Sequence, residues 1–247
     1  MYDLHNHILP AIDDGARDMA EALTLLKLAQ QQGISHMLVT PHLHAGRYDN
    51  NAATIVSALE NLTQAATAAG INVKLAAAAE VRIGAEILPL IERGQLPFIG
   101  CYQGANVLLL ELPHSHIPPG TDKLLAWLSR HNIVVMLAHP ERNRDLLAQP
   151  DKIHSFVKAG CLFQLTAGAL SGDMGTDVKV LAQQWLRQDL YHIIASDTHS
   201  VNRRPPKLQQ AYQYVKDTLG EEKAQQLCLT QPALIAGPVF AAGMLLA

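Results

Sequence analysis

His5 and His7 stand one residue apart at the end of the opening run, in the stretch MYDLHNHILPAIDDG. On an extended chain residues i and i+2 face the same side, so both imidazoles can reach one ion. Asp197 and His199 repeat that spacing near the far end of the sequence. Between these two pairs, short aliphatic runs stop at residues able to bind metal. SHMLVT leads into Thr40-Pro41-His42, VKLAAAA into Glu80, VLLL into Glu111 and IVVMLA into His139. One histidine or glutamate at such a place is ordinary loop polarity. Its repetition at almost every run points to a shared metal site. Carboxylates gathered this densely repel one another unless cations neutralise them. Imidazole and carboxylate donors without thiolate suit manganese, iron or zinc. Asp13 and Asp14 precede Gly15, a pattern that an ordinary Asp-Gly turn satisfies equally well. Of the remaining histidines, His44 and His114 are the best placed to line the rim.

For these residues to meet, the runs must lie side by side with their ends together. Strands are expected at 1–5, 35–40, 73–79, 107–110, 133–138, 161–166 and 192–196, with helical patterns between most of them. Asp18 and Glu21 open a helix through Gln32 in the manner of a capping box, and Gly33 stops it. A second helix spans 51–69, with Ile55, Leu59, Leu62 and Ala66 on one face. Another follows Pro206. Strands alternating with helices along one chain predict an α/β protein with a parallel, closed or nearly closed barrel. A doubly wound open sheet is the second topology. In the barrel, the carboxyl ends of the strands carry the site.

Composition removes several classes of function. The chain has 247 residues, 49% hydrophobic and 17% charged, which fits one folded domain over 1–247. Its net charge of -3 offers no general grip on nucleic acid or an anionic membrane. Cys101, Cys161 and Cys228 form no CxxC pair, and none lies in a phosphate-cradling loop ending in arginine. They read as reduced, packed thiols of a cytoplasmic protein, and a cysteine nucleophile is not expected. No signal peptide is visible. The tail GPVFAAGMLLA is far shorter than the roughly 20 residues that span a bilayer, and is expected to pack on the body.

The whole pattern resembles the PHP family, named for polymerase and histidinol phosphatase. His5/His7, Thr40-Pro41-His42, Glu80, Glu111, His139 in LAHPER and Asp197/His199 in SDTH carry the likeness, from Met1 to about Pro206. DDG, ER after the histidine, and RRPP are most similar to the manganese-dependent protein-tyrosine phosphatases of bacterial capsule and exopolysaccharide clusters. The resemblance implies a distorted (β/α)7 barrel and three divalent ions, with manganese favoured and iron or zinc possible. His5, His7, Glu80 and Asp197 would hold the first ion. Glu80 would bridge to a second, also held by Glu111 and His139. Asp14, rather than Asp13, would hold the third with His42 and His199. Arg142 and Arg204 match the arginines that bind substrate phosphate.

In that chemistry, closely spaced cations make a water bridged beside Glu80 reactive towards a phosphoryl centre. The arginines clamp the non-reacting oxygens. The implied substrate is a phosphotyrosine protein, namely a membrane tyrosine kinase of polysaccharide export approached from the cytoplasm. A small-molecule phosphatase, such as one for histidinol phosphate, shares the ligands and differs in the rim loops around Gly46-Arg47-Tyr48 and His114-Ser115-His116. An amidohydrolase would place a lysine where Glu80 and Glu111 stand. A non-catalytic module would show substituted ligands, and every expected position here retains one.

Overall fold

A computed structural model describes residues 1–246; the last residue of the apolar tail, Ala247, lies outside them. The strands are β1 (Tyr2–Asp3), β2 (His36–Val39), β3 (His42–Leu43), β4 (Lys74–Ala77), β5 (Glu80–Arg82), β6 (Pro97–Phe98), β7 (Gly100–Tyr102), β8 (Ala105–Glu111), β9 (Ile133–Ala138), β10 (Leu162–Thr166), β11 (Ile193–Ala195) and β12 (Leu245–Leu246). One sheet runs β1-β2-β4 and a second β11-β10-β9-β8-β5-β3, every neighbour along both paths being parallel. β7 adds to β8 antiparallel, and β6 pairs with β12. The second and third expected strands form as β2 and β4, and after a two-residue break each is followed by a short further strand, β3 or β5, beyond the expected end. The backbone nevertheless stays paired across each break, since Ala78 donates to the Val39 carbonyl and Glu80 to the Pro41 carbonyl.

Alternation along the strands separates two apolar layers. Leu108, Leu110, Leu137 and Phe163 pack with the helices, whereas Leu4, Leu38, Ala76, Val107, Leu109 and Met136 form a second cluster. The helix Gln231–Ala242 covers this second cluster with Ile235, Ala236 and Val239. Within the tail itself, Val239 is buried in this cluster and Leu245–Leu246 pair with β6, so its described part packs on the body, as expected. The helix fits closely there: a Cβ on Gly100 would lie 1.8 Å from the Ile235 carbonyl oxygen.

The first long helix, Met19–Gln31, begins where Asp18 accepts from the Glu21 amide. Glu21 does not complete the expected box. Its carboxylate turns instead to the Arg17 amide and guanidinium, an ion pair with the stronger charge. The helix Ala52–Ala68 does carry a full box, between Asn51 and Thr54. It buries Ile55, Leu62 and Ala66, while Leu59 is only partly covered.

Candidate metal centre

The strand ends bring the predicted residues together around Glu80, which is wholly buried. Its Oε2 lies 3.2 Å from His5 Nε2, 3.2 Å from His7 Nε2 and 3.1 Å from His42 Nδ1. Its Oε1 pairs with His139 Nε2 at 2.8 Å. Asp197 Oδ1 stands 3.6 Å from His5 Nε2, 3.5 Å from His7 Nε2 and 3.5 Å from His199 Nδ1. Glu111 Oε2 is 4.0 Å from His42 Nδ1. Asp14 Oδ1 lies 3.4 Å from His42 Nε2 and 3.7 Å from His199 Nε2. Three groups have ligand atoms within reach of one ion: His5/His7/Glu80, His42/Glu80/Glu111 and His7/Asp14/His42/His199.

Hydrogen bonding tests whether these groups suit a metal. Gln164 Oε1 receives both His5 Nδ1, at 2.9 Å, and the His139 amide, at 3.1 Å. The backbone amide can only donate, so the atom it meets is the carboxamide oxygen, and His5 carries its proton on Nδ1. Asp13 Oδ2 likewise accepts from His7 Nδ1 at 2.8 Å. The Nε2 lone pairs of His5 and His7 therefore face each other at 3.3 Å. They also face a carboxylate oxygen, Glu80 Oε2, that has no hydrogen-bond donor and is fully buried. Lone pairs converging in a buried space repel, and only protons or cations relieve that. The donor set fits divalent metal.

The ionisation of these groups has the same cause. Burial alone would drive the His5 pKa down, but the Glu80 and Asp197 carboxylates outweigh it and raise it. Burial and the neighbouring Glu80 charge both push Glu111 up. Burial, helped by the Arg142 cation, takes His139 down to about 3; burial and His7 take His199 to about 3. Both therefore stay neutral, the state in which imidazole binds metal.

Arg142 and Arg204 stand on the open side. Both donate to Asp197 Oδ2, at 2.6 and 3.1 Å, leaving Oδ1 turned to the histidines. They line a cavity of about 420 Å³ together with Arg47, Tyr48, Arg82, His44 and His114. The two rim histidines thus lie where the sequence placed them. Arg142 also donates to His114 Nε2 at 3.0 Å, and burial with the nearby Arg142 and Arg82 cations lowers the His114 pKa to about 4. The Tyr48 ring stacks on His42 at 5.4 Å and 8°.

Three residues at the site escape sequence reasoning. Gln164 sits in the run GCLFQLTAG, where it is the one amide among aliphatic neighbours, and that was its signal. Arg82 follows Glu80 by two and donates to Glu111 Oε2 at 2.7 Å. Asp13 reads as a turn residue, and its Oδ1 does accept from the Gly15 amide at 2.9 Å. Its other oxygen serves His7. Gly15 lets that loop lie against the strand end, since a Cβ there would meet the His7 carbonyl oxygen at 1.8 Å.

A parallel α/β scaffold with a carboxylate–imidazole cluster at its strand ends defines a metal-site protein of the hydrolase type. The family described as "Capsular polysaccharide synthesis, CpsB/CapC" matches residues 1–236, and the chain belongs to it. It is 32% identical over 222 residues to the tyrosine-protein phosphatase YwqE of Bacillus subtilis, covering 90% of this chain and 86% of that one. It is 33% identical over 212 residues to the putative tyrosine-protein phosphatase CapC of Staphylococcus aureus, covering 86% and 82%. Among solved structures, it superposes with a TM-score of 0.89 on one from a study of YwqE from Bacillus subtilis and CpsB from Streptococcus pneumoniae, described as unique metal-dependent tyrosine phosphatases. Identity there is 30%, over 96% of this chain and 94% of that one.

Proposed function

We propose that this protein is a metal-dependent phosphomonoesterase that removes phosphate from phosphotyrosine in a protein, within capsule or exopolysaccharide synthesis. One observation carries this reading. The buried Glu80 Oε2 lacks any donor, yet lies within 3.1–3.2 Å of ligand nitrogens on His5, His7 and His42. Three divalent ions, manganese foremost, are the cofactor: one with His5, His7, Glu80 and Asp197, one with Glu80, Glu111 and His139, and one with Asp14, His42 and His199. His42 reaches Glu80 as well as Asp14, which supports treating the three sets as one continuous cluster. Bound there, divalent ions offset the charge of a phosphate dianion and bring a coordinated water's pKa towards neutrality.

The chain's own groups do the rest. Arg142 and Arg204 take the non-reacting phosphate oxygens, a task for which their planar guanidinium forks are suited. Asp197 holds both arginines on one oxygen and faces the ligand histidines with the other, so phosphate and cluster keep a fixed relation. His114, neutral near pH 7, orients Arg142. Tyr48 and Arg47 form an aromatic, cationic wall at the mouth, the guanidinium lying 5.2 Å from the ring centroid. Such a wall accommodates a flat ring and flanking peptide.

The scaffold for this is a single domain with a distorted (β/α)7 barrel. Hydrogen bonds from His7 to the Thr198 carbonyl and from Asp197 to the His5 carbonyl support closure between first and last strands. So does the parallel bridge between Asn6 and Thr198. The partner is the tyrosine kinase of polysaccharide export, met in the cytoplasm. Free Cys101, Cys161 and Cys228 accord with that compartment, and among the described residues no helix is long and apolar enough to cross a membrane. Elemental analysis of the purified protein, with turnover of a phosphotyrosine peptide against histidinol phosphate, tests the reading. Bound transition metal and preference for the peptide are expected. Metal-free active protein, or preference for histidinol phosphate, overturns it.

A further inference from the structure

Two acceptor atoms at the cluster each hold a pair of proposed ligands. Gln164 Oε1 takes His5 Nδ1 at 2.9 Å and the backbone amide of His139 at 3.1 Å. Asp13 Oδ2 takes His7 Nδ1 at 2.8 Å and the backbone amide of His42 at 3.0 Å. In each case one ligand is held by its ring and the other by its main chain. Gln164 is completely buried, and the Asp13 side chain is 1% exposed, so water is a poor substitute for either. Gln164 is itself steadied by Thr166 Oγ1, at 3.5 Å from its Nε2.

Both contacts are needed for geometry that the strands do not supply. His139 has φ +33° and ψ +55°, in the left-handed region that a non-glycine residue enters at a cost. A buried acceptor on its amide helps hold it there. His5 and His7 must both present Nε2, and an imidazole free of partners at Nδ1 populates both tautomers. An acceptor at Nδ1 removes that choice. The two acceptors are unequal, however: a carboxylate behind His7 makes its Nε2 a stronger donor to metal than an amide behind His5 does.

We propose that Gln164 and Asp13 are positioning residues that lace four ligand-bearing strand ends in pairs, His5 with His139 and His7 with His42, and thereby set the affinity for metal. The inference rests on the ligand assignment under Proposed function. Neither residue touches substrate.

The test uses the full chain stripped of metal by chelator, its folding checked by circular dichroism and thermal melting. Manganese binding is then measured by calorimetry. Gln164→Leu is expected to weaken binding about 10- to 100-fold, the range found when such outer partners of metal ligands are lost. Gln164→Glu, whose carboxylate accepts from both donors, is expected to bind within about threefold of wild type. At a pH high enough to leave the metal-free His5 ring neutral, its nitrogen-15 shifts should report a single tautomer in wild type and in Gln164→Glu, and a mixture in Gln164→Leu. Asp13→Ala, on a loop outside the strands, is expected to lose about tenfold or more even if Gln164→Leu fails to fold. Wild-type affinity in folded Gln164→Leu or in Asp13→Ala overturns the inference. Equal weakening in Gln164→Glu and Gln164→Leu overturns it too, because the residue would then act by packing alone. His5→Ala separates the two levels. If it binds manganese like wild type, the ligand assignment itself is wrong; if it loses metal while the other variants do not, only this inference falls.

Discussion

His5 and His7 lie at the floor of the site with side chains wholly buried, whereas Asp14, on the loop above, is 45% exposed. His42 and His199, between the two, keep 12% and 10% of their side chains in solvent. The floor is fixed by strand ends and by partners for its ring nitrogens. The outer set depends on a surface loop and on His42, whose face is pinned by Tyr48. Charge buried at the floor has no access to bulk water, so removing one partner there leaves others uncompensated at a cost of several kcal/mol. At the outer set water can replace a lost ligand. The cluster should therefore be tight and cooperative inside, and exchangeable outside.

The largest expected effect is at the shared carboxylate. Glu80→Ala should lose more than one ion and lower kcat by at least about 10³-fold, roughly 4 kcal/mol of barrier. His42→Ala should lose chiefly the outer ion. Elemental analysis of both variants checks this, and equal losses would erase the distinction between floor and rim.

Next come the arginines, which belong to the open side yet are tied to the floor through Asp197. Arg142→Ala and Arg204→Ala should each lower kcat/KM about 10²-fold, near 2.7 kcal/mol, with metal content unchanged. Lysine at either place should restore little, because it lacks the planar fork. Loss of metal in these variants would show that the arginines stabilise the cluster itself.

Asp14→Asn comes third. It should weaken metal binding about tenfold and make one ion leave first on brief exposure to chelator, with the remaining ions lost slowly. Time-resolved metal release measures this. A single phase for the wild type would mean that the sets are not graded at all.

The smallest effect is expected at His114. His114→Ala should raise KM two- to threefold or so, as a polar contact orienting Arg142 is lost. With its pKa lowered to about 4 by burial and nearby arginines, His114 is neutral above that value and accepts from Arg142 throughout pH 5–8. Only as pH falls through about 4 does it gain a proton and lose that role. The KM profiles of variant and wild type should therefore run parallel between pH 5 and 8.

How much of this was legible in the sequence follows from strand parity. Leu38, Ala76 and Ala78, Val107 and Leu109, and Ile193 belong to one apolar cluster. Counting on by twos reaches His42, Glu80 and Glu111, so periodicity agrees with residue type at these three; Asp197 falls on the same count, but its backbone is left-handed as well, at φ +51°. The same count from Leu162 reaches Gln164, a signal available and unused. Parity misplaces the others. Counting by twos from Leu137, on the helix side, reaches His139, and only its left-handed backbone brings its ring to Glu80. From Leu4 the count reaches Asn6 rather than His5 or His7, because the ladder of β1 breaks after Asp3 and resumes at Asn6.

The sequence by itself determined that this chain alternates strands with helices and that its apolar runs end in acids and histidines. Both are local properties, written in periodicity and residue type. Only the tertiary structure decided which lone pairs face one another, which ring nitrogen of His5 and of His7 is free, and that Asp13 holds the His7 ring. Such relations join atoms far apart in the chain, His5 and Gln164 being 159 positions apart. No local pattern encodes them, because hydrogen bonds of this kind are fixed by how strands pack, not by what each strand contains.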